Sequence, residues 1–227
     1  MIESAEPLGE RAKVAIGMVA TVMLTAAVSL WADLSKYDAV SRVVDGERVS
    51  LSELQSVDDR VSTVGVVYGI ALVISVVTFL LWYSRAYRNI GPLGVREPRY
   101  GPRWAVASWF IPILSLFRPK QVMNDIWRAG DPDLPRVVAS LEGRQVTPLL
   151  HWWWALWLLS NWVGTLAVRV SFDKANPSAE DLKSQSLGYV FSDIADIVAG
   201  VLAILVIRAL TARQDERRAK LVTPGEF

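Results

Sequence analysis

Apolar residues in this chain come in long blocks separated by charged stretches, with little alternation between the two. Four blocks, Val14–Ala32, Val61–Tyr83, Pro148–Val170 and Leu187–Leu210, are each long enough to cross about 30 Å of hydrocarbon as a helix. A fifth, Trp104–Phe117, is broken by Pro112 and as a helix would reach only about 21 Å. That is too short to cross, so it reads as a re-entrant or interface-lying segment, with Pro112 ending or kinking the helix because it has no amide donor. After it, Pro119 suits a first helical turn. Val122, Met123, Ile126 and Trp127 then fall on one side of a short helix, and Gln121, Asn124, Asp125 and Arg128 on the other. This amphipathic helix is expected along the membrane surface or against the bundle.

The pattern therefore predicts an all-α integral membrane protein, with four transmembrane helices arranged as two hairpins and an interfacial or re-entrant cytoplasmic segment between them. Its parts are a leader (1–13), a first hairpin with an acidic external loop (14–83), a basic platform (84–147), a second hairpin (148–210) and a tail (211–227) carrying Arg213, Arg217, Arg218 and Lys220. The first block is read as a retained span and not a secretory signal. Glu3, Glu6 and Glu10 precede it beside only Arg11 and Lys13, the run exceeds a typical signal core, and no small-residue cleavage site follows. Asp33–Arg60 is expected as a net-acidic loop holding a small hairpin or a short helix, with a turn at Asp45-Gly46. Gly65 and Gly69 form a G-x-x-x-G, which marks either a close helix contact or a chance spacing in an apolar helix.

Charge sets the orientation. The net charge is only +1, but Arg85, Arg88, Arg96, Arg99, Arg103, Arg118 and Lys120 crowd the membrane-proximal ends of the middle segment. By the positive-inside rule that segment is cytoplasmic, which places both termini inside and the acidic loop outside a bacterial cytoplasmic membrane. Composition adds exclusions. Hydrophobic residues make up 52% of the chain, and there is no cysteine and one histidine. Disulfides, thiolate metal sites and cysteine nucleophiles are ruled out, and a zinc site has no ligand set. No Walker, G-x-S-x-G or dinucleotide motif appears, and no nucleic-acid module, so neither a cofactor nor a nucleic-acid partner is expected.

The middle segment also carries a resemblance. Trp82, Arg85, Arg88 and Asn89 leaving the second span, Trp104, the Trp109-Phe110-Ile111-Pro112 block, then Pro119, Val122, Met123, Ile126 and Trp127, and the Trp152-Trp153 pair opening the third span are together similar to a bacterial, mainly actinobacterial, membrane family filed as domain of unknown function 4328. The resemblance runs over roughly Val61–Ala212. It implies a multi-helix membrane domain, with no reaction or catalytic residues to carry over.

Two sets of candidate site residues follow. Arg85, Arg88, Asn89, Arg99, Arg103, Trp104, Trp109 and Trp127 make a platform that would engage anionic lipid head groups or a partner protein, although ordinary topology determination explains the arginines equally well. Asn161, Arg169, Asp193 and Asp196 make an intramembrane polar cluster. Asp193 and Asp196 share a helical face with Tyr189 and Gly200, and Arg169 is the expected partner. That cluster reads as a proton or cation site, as an Arg–Asp clamp between the third and fourth spans, or as part of a helix whose membrane segment begins later. The leading expectation is a non-enzymatic scaffold or regulatory protein working through the platform, with membrane lipids and a further membrane or cytoplasmic protein as its partners. The alternative is a small proton- or cation-coupled transporter or channel using Asp193 and Asp196. Four helices are few to enclose a transport path, so the sequence leaves a homo-oligomer open.

Overall fold

The computed structural model describes residues 4–172 and 177–222, and within the fifth helix the side chains of 163, 164 and 166–172 lie outside the described residues. Apart from one isolated parallel bridge between Val95 and Val138, the secondary structure is helical. The helices are α1 (Gly9–Val44), α2 (Leu51–Arg88), α3 (Pro102–Ala107), α4 (Arg118–Ala129), α5 (Pro148–Phe172) and α6 (Ala179–Val222), with a single 3₁₀ turn at Leu114–Leu116.

Among the described residues, three helices, α1, α2 and α6, are long and apolar enough to cross a membrane. Only 17%, 11% and 28% of their most apolar stretches are buried within the protein. Exposed apolar side chains on α2 run from Val66 through Ile70 and Val73 to Leu81. Apolar surface on this scale is unfavourable in water and is covered when lipid is the solvent. The expected third span is the 25-residue α5, much of whose outer half lies outside the described side chains. Trp104–Phe117 is no fifth crossing. It is divided into the six-residue α3, a turn around Pro112 and the 3₁₀ turn, none of which approaches the length a bilayer requires.

The acidic stretch Asp33–Arg60 is not a loop, which corrects the expectation. α1 continues through it to Val44 and α2 begins at Leu51. The Asp45-Gly46 turn is real and ends α1 in a Schellman motif: Gly46 N–H bonds the Val43 carbonyl at 3.1 Å, Glu47 N–H reaches Arg42 O at 2.9 Å, and Gly46 takes φ 82°. Ser50 then caps α2 by accepting from Glu53 N–H at 3.1 Å. At α6, Ser178 Oγ accepts from Asp181 N–H (3.2 Å) while Asp181 Oδ2 accepts from Ser178 N–H (3.0 Å), a reciprocal capping box. Residues 211–222, expected as a tail, are the continuation of α6.

The chain divides into two compact units. One comprises Met1–Gly17, Ser75–Trp154 and Leu202–Phe227, and the other Met18–Ile74 and Ala155–Val201. The first is built around the apolar face of α4, where Val122, Met123 and Ile126 are fully buried along with Trp82, Tyr83, Ile90 and Leu93. In the second, α1 meets α6 at Gly200, where a Cβ would stand 2.6 Å from Met23 Cγ and 2.9 Å from its sulfur. Nothing among the described residues lies within 4 Å of such a position at Gly65 or Gly69, so the close approach falls at Gly200 and not at the G-x-x-x-G. In the last turn of α1, Arg42 ties the α1–α2 connection to Glu47 (3.1 Å) and Glu53 (2.7 Å).

Candidate functional site

In the first unit, the expected platform separates into residues held inside and residues presented outside. Arg85 is buried and its guanidinium pairs with Glu6 at 2.7 Å. Asn89, also buried, accepts from Glu6 N–H (3.1 Å) and donates to Glu6 O (2.9 Å) and Gln214 Oε1 (3.3 Å). Trp109 packs edge-on against Phe79, Tyr83 and Trp154, with centroids 5.6–5.9 Å apart. Trp127 lies under the Arg213 guanidinium at 4.5 Å. Arg85, Asn89 and Trp109 therefore hold the unit together: the leader docks on Arg85 and Asn89, and Trp109 packs within the aromatic cluster. Leu8 of that leader is fully buried.

Arg88 and Arg103 are exposed, Trp104 is half-exposed, and Arg99 lies 3.6 Å from Asp125, with Arg128 at the same distance on the other carboxylate oxygen. Asp125, placed by the sequence on the polar side of α4, is in fact buried. Burial raises its pKa, while Arg99 and Arg128 pull it back. Arg118 stacks over Tyr100 (4.9 Å) and Trp104 (5.5 Å), which joins the base of the apolar segment to the start of α4.

Lys120 on α4 is buried with Asn124 as the acceptor of its ammonium group. Burial, reinforced by Arg128, lowers its pKa from 10.5 to about 8. Between those two values the unfolded chain holds a proton that the folded chain has released, so stability rises with pH across that window and the cost of burying the charge is greatest below it. Lys120→Met is accordingly expected to stabilise the protein at neutral pH by about 1 kcal/mol, a rise of roughly 2–4 °C in Tm. The gain should shrink as the pH climbs past 8 toward 10.5. Thermal unfolding in detergent across that range measures it.

The second unit gathers carboxyl groups. Asp193 on α6 is 8% exposed and Asp33 on α1 is 4% exposed. Their side chains lie within hydrogen-bonding reach of each other. Ser29 Oγ donates to Asp33 Oδ2 at 3.4 Å, while Asp33 Oδ1 and Asp193 Oδ2 have no donor. One turn along α6, Asp196 accepts from the Tyr68 hydroxyl at 2.9 Å and lies within reach of the Ser160 hydroxyl.

Of the expected cluster, then, Asp193 and Asp196 are brought to one place. Asn161 points outward and bonds the Trp157 carbonyl of its own helix at 2.7 Å, so the adjacent, buried Ser160 takes the position expected of it. The Arg169 side chain lies outside the described residues. Sequence reasoning missed Asp33 and Tyr68. A signal for Asp33 was present: Ala12, Ala15, Val19, Ala26, Asp33 and Val40 follow a spacing of three, four and seven residues, and all six are buried. Extending that stripe past the apolar block places Asp33 on the inner face. Tyr68 stands in an uncharged run with nothing to single it out.

No curated protein and no solved structure matches this chain. A family model, described as a domain of unknown function (DUF4328), matches residues 45–212. That stretch takes in α2 through most of α6, with every platform residue and both Asp193 and Asp196, and the chain belongs to the DUF4328 family.

Proposed function

We propose that the protein is a non-enzymatic, four-span protein of the bacterial cytoplasmic membrane, with both termini inside, that acts as a scaffold or regulatory partner through lipid contact at its platform. The observation that carries this reading is the surface of residues 104–117. Trp104, Phe110 and Ile113 are 50%, 69% and 73% exposed, and Leu116 and Phe117 extend the patch. The exposed Arg103 precedes it. Exposed apolar side chains with arginine beside them suit the head-group boundary of an anionic bilayer. Trp154 Nε1–H donates to Leu116 O at 3.3 Å, fixing one end of the segment to α5.

With Arg85, Asn89 and Trp109 engaged inside the unit and Trp127 under Arg213, this reading rests on Arg88, Arg99, Arg103 and Trp104 as the groups that meet lipid. Arg88→Gln with Arg103→Gln should reduce retention of anionic lipid by the purified protein on the order of tenfold, read by native mass spectrometry after delipidation and titration. Retention equal to that of the parent would discard the lipid reading.

A second reading, proton- or cation-coupled transport through Asp193 and Asp196, is supported by the convergence of those two residues with Asp33 and Tyr68.

A further inference from the structure

We propose that Asp33 and Asp193 together form a proton-binding site, in which one proton is shared between two facing carboxyl groups. A carboxylate only accepts hydrogen bonds, so two of them within bonding reach, each with one oxygen lacking any other donor, are mutually satisfied only when one carries a hydrogen. With the proton in place, the O–H of one donates to the other, and both orphaned oxygens acquire a partner. Without it, two negative charges face each other in a site that is more than nine-tenths shielded from solvent.

The surroundings offer no other compensation among the described side chains. On α1, the single hydroxyl of Ser29 donates to Asp33 Oδ2 at 3.4 Å and also lies within reach of Asp193, so it supplies one hydrogen to two carboxyl groups. Lys36 acts on Asp33 from a distance, but its ammonium is held by Asp58 at 2.8 Å. On α6, Asp196 adds further negative charge and on α2 Tyr68 gives its hydroxyl to Asp196, while Ser160 on α5 faces the same group. Among the described cations of the unit, Arg42 is engaged with Glu47 and Glu53, Arg60 over Trp31 at 4.6 Å and Lys183 over Tyr37 at 5.5 Å, and Arg48 is exposed beyond the end of α1. Asp196 has a donor of its own and stays outside the pair. The proposal shares residues with the transport reading but does not depend on transport, because a proton can be held where none is carried across.

The test is infrared spectroscopy of the full chain in lipid vesicles. At neutral pH the protein should show the carbonyl band of a protonated carboxylic acid, shifting in deuterated water. The band should disappear in both Asp33→Asn and Asp193→Asn and persist in Asp196→Asn. Should the asparagine variants fail to fold, Asp193→Glu, which keeps a carboxyl group, should retain the band at a displaced frequency. Absence of the band in the parent, as an ion pair with Arg169 would produce, overturns the proposal, and so does a band indifferent to all changes at Asp33 and Asp193. Proton flux in proteoliposomes is measured in parallel. A band without flux removes the transport reading and leaves the shared proton standing.

Discussion

Gly94→Ala is expected to destabilise the protein by on the order of 4 kcal/mol, enough to leave it poorly folded in detergent. Gly94 sits at φ 98°, a conformation that L side chains rarely adopt, and the Cβ of an alanine would overlap the carbonyl oxygen of Arg136, with the carbonyl carbon 3.0 Å away. The obstacle is backbone, so no rotamer change relieves it. The strands of chain on either side are bound together at this point: Val138 N–H reaches Gly94 O at 2.9 Å and Arg96 N–H reaches Val138 O at 3.0 Å. Accommodating a methyl group means parting that bridge. Gly101→Ala provides the contrast, since Gly101 has φ −67° and open space around it, and should melt like the parent. Thermal unfolding followed by tryptophan fluorescence distinguishes the two, and equal melting temperatures would refute the close approach.

The other large effect is expected at Arg217. Its guanidinium is 1% exposed and makes five hydrogen bonds, all to main-chain carbonyls: Nε and Nη2 to Leu93 (3.0 and 2.7 Å), Nη1 to Asp131 and Leu134 (2.9 and 3.0 Å) and Nη2 to Pro135 (3.0 Å). These carbonyls belong to the segment that follows α2 and the segment that follows α4, so one side chain from α6 gathers two irregular stretches. Lysine cannot substitute. An ammonium offers three donors from a single point, where the planar fork serves four carbonyls spread around its edge. Arg217→Lys should therefore cost at least about 3 kcal/mol, since carbonyls stripped of their donors stay buried. Arg208→Lys, at an exposed position on the same helix, should cost little. If Arg217→Lys melts within a degree or so of the parent, the clamp does not carry the stability assigned to it.

Neither position announced itself in the sequence, and the reasons differ. Gly94 lies among Gly91, Pro92, Pro98, Gly101 and Pro102, so a turn-rich stretch was legible but the one glycine pressed against a distant carbonyl was not. A contact across so long a separation leaves no local trace. Arg217 sits in a run of charged residues that looks like a solvated tail. Yet Ile207, Leu210, Gln214 and Arg217 continue one buried stripe of α6 at helical spacing, and the polar members are buried because each has main-chain or amide partners waiting. The same error recurs at Asp33. Apolar blocks mark which helices are oily enough to suit lipid, because lipid selects composition along the whole crossing. They underestimate where the helix itself ends, which is set by capping chemistry such as that at Gly46 and Ser178. The platform shows the converse. Its arginines and tryptophans were correctly noticed as unusual, but burial divided them between internal fasteners and outward-facing groups, and only three-dimensional neighbours make that division.

The clasp on the leader also bears on biosynthesis. Glu6 is bonded by Asn89, which is in turn bonded by Gln214, and Leu8 N–H reaches Asp215 Oδ1 at 3.5 Å. The residues that secure Glu6 and Leu8 thus leave the ribosome long after these two do. The leader must wait, unsatisfied, while the intervening helices enter the bilayer, and this unit closes only once translation has passed Asp215. Nascent chains stalled before that point should expose the segment around Glu6 and Leu8 to protease, whereas chains released after Asp215 should shield it.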